Sequence, residues 1–170
     1  MEPKADTKED KVYAKPIDQL EAFEFNAKVA DVFENMIERS VPGYPLILDI
    51  IGLTTEHFAQ PNTCCYDLGC SLGASTLKIR QHLPISCLAI GIDNSSHMVE
   101  RCKTNVAHDH SQAQIEIRQE DLRITRIENA SVVVMNFTLQ FLPEGDRDNV
   151  LRGISDGLVD GGVFVLWVKI

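Results

Sequence analysis

Residues 66–76 read YDLGCSLGAST: an apolar run, a loop punctuated by Gly69 and Gly73, then residues that suit a helix. The two glycines permit a tight turn with close backbone approach to a ligand, and the helix that follows points its N-terminus at the same loop. A strand, a glycine turn and a helix in that order begin a βαβ unit. Working outward, the runs TCCYDL, SCLAIGID, QIEIRQED, SVVVMNF and GVFVLWV recur at βα-unit spacing. Helical spacing is readable at Thr76, Leu77 and Arg80, at Met98, Val99, Cys102 and Val106, and at Val150, Leu151, Ile154 and Leu158. Strands that are apolar on both faces and alternate with helices predict an α/β protein with a parallel, doubly wound sheet.

Two helices are expected before the first strand. From Asn26, an N-cap, the residues Val29, Val32, Phe33, Met36 and Ile37 fall at helical spacing until SVPGY breaks the pattern. Pro45 then opens a second helix carrying Leu46, Ile47, Ile50, Ile51, Leu53 and Phe58, which ends before Gln60-Pro61-Asn62. Residues 1–17 are charged and interrupted by Pro3 and Pro16, so they read as a flexible arm ahead of one domain over 18–170.

The 170 residues contain 16 basic and 25 acidic side chains, a net charge of -9 that argues against direct binding to nucleic acid. No apolar stretch approaches the roughly 20 residues that span a bilayer, and MEPKADTKEDK lacks the apolar core of a secretion signal. A cytoplasmic protein without membrane partners is expected. Cys64, Cys65, Cys70, Cys87 and Cys102 form an odd set with no Cys-x-x-Cys pair, which predicts reduced thiols and no metal knuckle. His108 and His110 flank Asp109 in a polar helix end and read as solvated surface, so no metal is expected.

In a doubly wound sheet the ligand crevice lies beyond the carboxyl ends of the strands. Asp67 precedes the glycine loop, the second run ends in Asp93-Asn94, the third in Glu120-Asp121-Leu122 and the fourth in Asn136-Phe137-Thr138. Carboxylates at three successive strand ends, with no Lys or Arg between Tyr66 and Leu77, would repel a pyrophosphate and suit a positively charged nucleoside. S-adenosyl-L-methionine carries a sulfonium and an ammonium and no phosphate, so it fits better than NAD, FAD or ATP. Gly69-Cys70-Ser71-Leu72-Gly73 also matches the nucleophile elbow of α/β-hydrolases, with Ser71 as nucleophile, but that fold needs several strands before the elbow.

The strings RSVPGYPLILDIIG, YDLGCSLGAST, GIDNSSHMVERC and ENASVVVMNFTLQFL closely resemble the bacterial carboxy-S-adenosyl-L-methionine synthase family, from about Val12 to Phe164. The resemblance implies a Rossmann-like class I methyltransferase fold and a homodimer. It implies conversion of S-adenosyl-L-methionine and prephenate to carboxy-S-adenosyl-L-methionine and phenylpyruvate, a product used in modifying the wobble uridine of tRNA. Carried over by position, it makes Tyr44, Gly69, Cys70, Ser71, Asp93, Asn94, Asp121, Leu122 and Asn136 the cofactor contacts. It implies that Asp93 takes the ribose hydroxyls, that Asp121 and Leu122 frame the adenine, and that Asn136 faces the reacting carbon; the catalytic residues stay unassigned.

The final residues, VLWVKI, depart from the family's serine-glutamate-lysine continuation. The expectation is therefore a truncated or frameshifted member that lacks two strands, a carboxylate-binding arginine and part of the dimer surface, leaving VFVLWV as an exposed sheet edge. A conventional small-molecule methyltransferase and a non-catalytic fragment that only binds ligand remain the alternatives.

Overall fold

The computed structural model of the protein describes Ile37 and residues 41–168. The expected arm and most of the expected first helix lie outside the described residues; Ile37 is helical and its carbonyl accepts from Val41 N at 2.9 Å.

Helix α1 (Tyr44–Phe58) follows Gly43, which holds a φ of 79°, and carries Pro45 in its first turn, where a missing N–H costs nothing. It buries one narrow stripe, Ile47, Ile51 and Thr55, against the sheet. Leu46 and Leu53 stay more than 60% exposed, so the helix is less enclosed than its apolar content suggests.

The chain then alternates: β1 (Cys64–Leu68), α2 (Ala74–His82), β2 (Leu88–Asp93), α3 (Ser96–Ala107), β3 (Gln114–Gln119), β4 (Ala130–Asn136), α4 (Glu144–Gly157) and β5 (Leu158–Trp167). All strand pairs are parallel and the order is β3-β2-β1-β4-β5. The expected doubly wound sheet is therefore present, and its switch point lies between β1 and β4, where the chain reverses direction across the sheet. One apolar layer joins Tyr66, Leu68, Ile90, Ile92, Val133 and Met135 to Val150 and Ile154 of α4. The other joins Cys65, Ala89, Val132 and Val134 to Ile47 and Ile51 of α1 and Ile79 of α2. Central strands buried on both faces explain why TCCYDL and SVVVMNF read as continuous apolar runs.

Three details differ from expectation. Residues 120–129, between β3 and β4, form turns and no helix. Leu158, expected on the last helix, is extended (φ -73°, ψ 138°) and pairs with Ala130 as the first residue of β5. The helix ends at Gly157, which lies flat against Ile127, where a Cβ would sit 2.4 Å from a backbone carbonyl. β5 also begins four residues before the run GVFVLWV, with Gly161 at φ 77° beside the register shift that lets it pair with β4. As expected, β5 is the sheet edge among the described residues, with Leu166 and Val168 exposed.

Gly157→Ala should destabilise the protein by about 1–3 kcal/mol, because backbone cannot move aside as a side chain can. Urea unfolding of the variant beside Gly153→Ala, whose Cβ meets nothing within 4 Å, checks this; equal midpoints would contradict it.

Candidate functional site

Four loops meet at the carboxyl ends of β1 to β4, and the backbone itself ties them together. The amides of Gly69 and Cys70 both donate to the carbonyl of Ile92, at 2.8 and 2.9 Å, pinning the glycine loop to the tip of β2. Glu120 N donates to Asp93 O at 3.1 Å and so joins the tip of β3. Gly69 holds a φ of 83°, and a Cβ there would overlap Thr138 of the loop after β4. Gly73 holds 92°, and a Cβ would sit 2.7 Å from Cys102 Sγ on α3. Both glycines are thus required by close approach as well as by conformation.

Asp93 is the hub. Its Oδ2 accepts from Ser71 N and its Oδ1 from Ser95 N, each at 2.9 Å. Ser95 caps α3 by accepting from Met98 N. Burial pushes the Asp93 carboxyl above its usual range, opposed by those amides.

Asp67 lies one strand away and is 1% exposed. Its Oδ2 accepts from Thr76 Oγ1 at 2.6 Å, while Oδ1 is buried with no hydrogen-bond partner. Burial raises its pKa to about 7; the Thr76 bond opposes this and the nearby Asp93 charge adds to it. Cys70 Sγ donates to Ser71 O at 3.9 Å, and the neighbouring Cys102 thiol, burial and the two aspartates hold the Cys70 thiol well above the usual range. It is therefore a small neutral lining residue, not a nucleophile.

Asn136 closes β4. Its Nδ2 donates to Ser75 Oγ at 3.1 Å and its Oδ1 is buried and unpartnered. The next residue, Phe137, has a φ of 59°, a strained conformation for a bulky side chain, held by its amide's 2.8 Å bond to Trp167 O. Such strain is tolerated where the surrounding contacts dictate it, and here it turns the chain sharply just past Asn136.

The structure brings Gly69, Cys70, Ser71 and Asp93 into direct contact and sets Asn136 beside them through Ser75 and Thr138. Asn94 is exposed and its carbonyl accepts from Gln119. Leu122 packs against the layer containing Tyr66 and Leu68, and Tyr44 is buried at the start of α1. Asp121 corrects one expectation: it does not add free negative charge. Arg123, two residues on, holds it through its backbone N and guanidinium, which lowers the carboxyl's pKa. Asp67 and Asp93 have no such arginine partner among the described residues. Ser71 has the positive φ, 50°, of an elbow residue, yet its Oγ donates to Met98 Sδ, so the hydrolase reading fails.

Sequence reasoning placed Asp67 and Thr138 at strand ends without giving either a contact of its own, and gave Ser75 and Thr76 no role in the site. A buried acid inside an apolar run, followed by two hydroxyl residues in the first helical turn, was the available signal. The five cysteines are free, as expected, and no metal-holding group of His, Cys, Asp or Glu occurs among the described residues. A cavity of about 40 Å³ beneath Leu122, lined also by Leu68, Ile127 and Val150, has room for water but not for a nucleobase.

A glycine loop clamped at the switch point and an acid at the next strand tip define a doubly wound α/β domain with its crevice at the carboxyl ends of the strands. The methyltransferase domain family matches residues 66–162. An S-adenosylmethionine-dependent methyltransferase from Clostridium acetobutylicum shares the fold, with a TM-score of 0.62 at 17% identity over 78% of this chain and 54% of that one. The fold is thus that of the class I methyltransferases. The carboxy-S-adenosyl-L-methionine synthase of Shewanella pealeana is 48% identical over 163 residues, which is 95% of this chain and 67% of that protein. Its counterpart in Vibrio campbellii is 47% identical over 170 residues, 99% of this chain and 69% of that protein. The chain belongs to the carboxy-S-adenosyl-L-methionine synthase family, enzymes of the S-adenosylmethionine-dependent methyltransferase superfamily. It spans about two thirds of the length of these relatives.

Because the Asp67 carboxyl titrates at about 7 in the fold against 3.8 ordinarily, folding favours its neutral form. The stability gained from neutral Asp67 is complete below about pH 4, falls as pH rises to about 7, and is constant above. Asp67→Asn should therefore flatten the pH dependence of denaturant stability across that window; parallel curves for the two proteins would contradict the assignment.

Proposed function

We propose that the crevice at the tips of β1, β2 and β4 binds S-adenosyl-L-methionine and that the protein acts as a carboxy-S-adenosyl-L-methionine synthase. The observation that carries the reading is the pair of enclosed carboxyls Asp67 and Asp93 on adjacent strands, with no cation beside them among the described residues, so that a bound cation would favour the ionised form of both. A sulfonium and an ammonium satisfy that pocket. A pyrophosphate at the N-terminus of α2 would meet both acids instead.

In this reading Asp93 holds the ribose hydroxyls through the lone pairs its two amide bonds leave free. The amides and carbonyls of the Gly69 loop receive the methionine end. Asp121, kept ionised by Arg123, accepts from the adenine amino group, and Leu122 packs beside the ring. Tyr44 and Asn94 border the crevice from α1 and the β2 tip. Asn136 lies at the reacting carbon, where an amide oxygen orients a polarised S-methyl group without carrying charge.

The carboxyl donor we assign is prephenate, which gives carboxy-S-adenosyl-L-methionine, phenylpyruvate and water when one carboxyl group is transferred. The product would serve wobble-uridine modification of tRNA, and the net charge of -9 supports a role carried out without contact to RNA. Homodimer formation and a cytoplasmic location complete the proposal; no helix among the described residues is long and apolar enough to cross a membrane.

Incubation with methyl-labelled S-adenosyl-L-methionine and prephenate tests the reaction. A labelled sulfonium compound heavier by one carboxyl group supports it, whereas release of S-adenosylhomocysteine would identify a conventional methyltransferase. Calorimetric titration tests the binding half: Asp93→Asn should weaken affinity for S-adenosyl-L-methionine by roughly 10- to 100-fold, the worth of a charged hydrogen bond. Unchanged affinity would move the ribose elsewhere.

A further inference from the structure

Ser75 and Thr76 open α2, 5% and 1% exposed, and neither caps the helix, whose N-cap is Gly73 with no side-chain bond. Hydroxyl residues in a first helical turn ordinarily bond to nearby backbone. Here the bonds leave the helix in two directions. Thr76 Oγ1 donates to Asp67 Oδ2 on β1, and Ser75 Oγ accepts from Asn136 Nδ2 on β4. These strands are neighbours at the switch point; Asp67 registers with Val134, two residues before Asn136. One dipeptide thus reaches both strands that border the crevice.

The consequence lies in what stays unbonded. Thr76 occupies one oxygen of Asp67 and Ser75 occupies the amide nitrogen of Asn136, and the remaining oxygen of each, Oδ1 in both cases, is buried without a partner. Buried acceptors are nearly always satisfied, so two orphans tied to one dipeptide are not ordinary packing.

We propose that Ser75 and Thr76 are positioning residues for the cationic end of the sulfonium ligand: they hold Asp67 and Asn136 so that one acceptor oxygen of each stays bare for that ligand. The inference rests on the reading that this crevice binds S-adenosyl-L-methionine. Among the described residues the ionisable neighbours of Asp67 are Asp93 on β2 and, in the glycine loop, Cys70, which faces the free thiol of Cys102 on α3; none of these is cationic. The hydroxyl of Thr76 favours the Asp67 carboxylate more than the Thr76 backbone amide does, and a bound cation favours the same form.

The test is calorimetric titration of the full chain with S-adenosyl-L-methionine across pH, on the unaltered protein and on Thr76→Val, Thr76→Ser and Ser75→Ala, each checked for folding by circular dichroism. Affinity should rise with pH as Asp67 ionises. In Thr76→Val the midpoint of that rise should move up by about one pH unit, the equivalent of a tenfold change in proton affinity. Thr76→Ser, which keeps the hydroxyl, should restore it. Ser75→Ala should lower affinity about tenfold at every pH without moving the midpoint, because an amide does not titrate. If the valine variant does not fold, Thr76→Ala takes its place.

An unmoved midpoint without the threonine hydroxyl, a serine variant that behaves like valine, or full affinity in Ser75→Ala would each overturn the inference while leaving the site reading intact. Absence of binding by the unaltered chain would overturn both.

Discussion

The two oxygens of Asp93 hold two loops at once, and the crevice depends on that division. One oxygen takes the amide of Ser71 from the loop after β1, the other takes the amide of Ser95 at the start of α3. Ser71 needs a positive φ to present its amide, and the loop can supply that geometry only because Gly69 and Gly73 flank it in the left-handed region. The acid is therefore structural before any ligand arrives. Because its partners are neutral amides, it organises the loops and still leaves its charge uncompensated.

That charge gains importance from its neighbour. Asp67 sits on the adjacent strand, fully enclosed, and the charge of Asp93 adds to the cost of ionising it. A third acid nearby, Asp121, behaves in the opposite way, because a guanidinium two residues along neutralises it at the rim. The crevice is thus graded: enclosed carboxyls that a cation would ionise above β1 and β2, an arginine-paired acid above β3, and uncharged polar groups above β4. A ligand with a cationic middle and a neutral aromatic end matches that gradient along its length, which is how an adenosyl sulfonium differs from a dinucleotide.

The loop after β4 completes the site by steric means. Thr138 fills the space that a side chain at Gly69 would need, and Phe137 accepts a strained backbone so that Asn136 ends its strand facing Ser75. Strain of this kind costs about 1–3 kcal/mol, and the twofold burial of the β4 run in front of it supplies the rigid base on which it is held. Membership of the carboxy-S-adenosyl-L-methionine synthase family accords with this architecture, in which an uncharged amide stands where the strand meets the crevice.

The alternation of apolar runs and helical spacing was enough to determine the order of elements and the parallel sheet, since a strand buried on both faces has little choice but to be apolar throughout. The glycine loop, Asp93 and Asn136 were legible for a related reason: residues at strand ends announce themselves by interrupting such a run. The start of β5 at Leu158 and the helix-free stretch before β4 were not legible, because Leu158 is extended by pairing with Ala130 and Gly157 packs on Ile127, partners about thirty positions away in the chain. Only the tertiary structure decided which acid is held ionised and which is pushed toward its neutral form. Asp121 and Asp67 look alike in sequence, but one is paired with an arginine in solvent and the other is sealed beside a second carboxylate, and ionisation follows the surroundings of a group, not its identity.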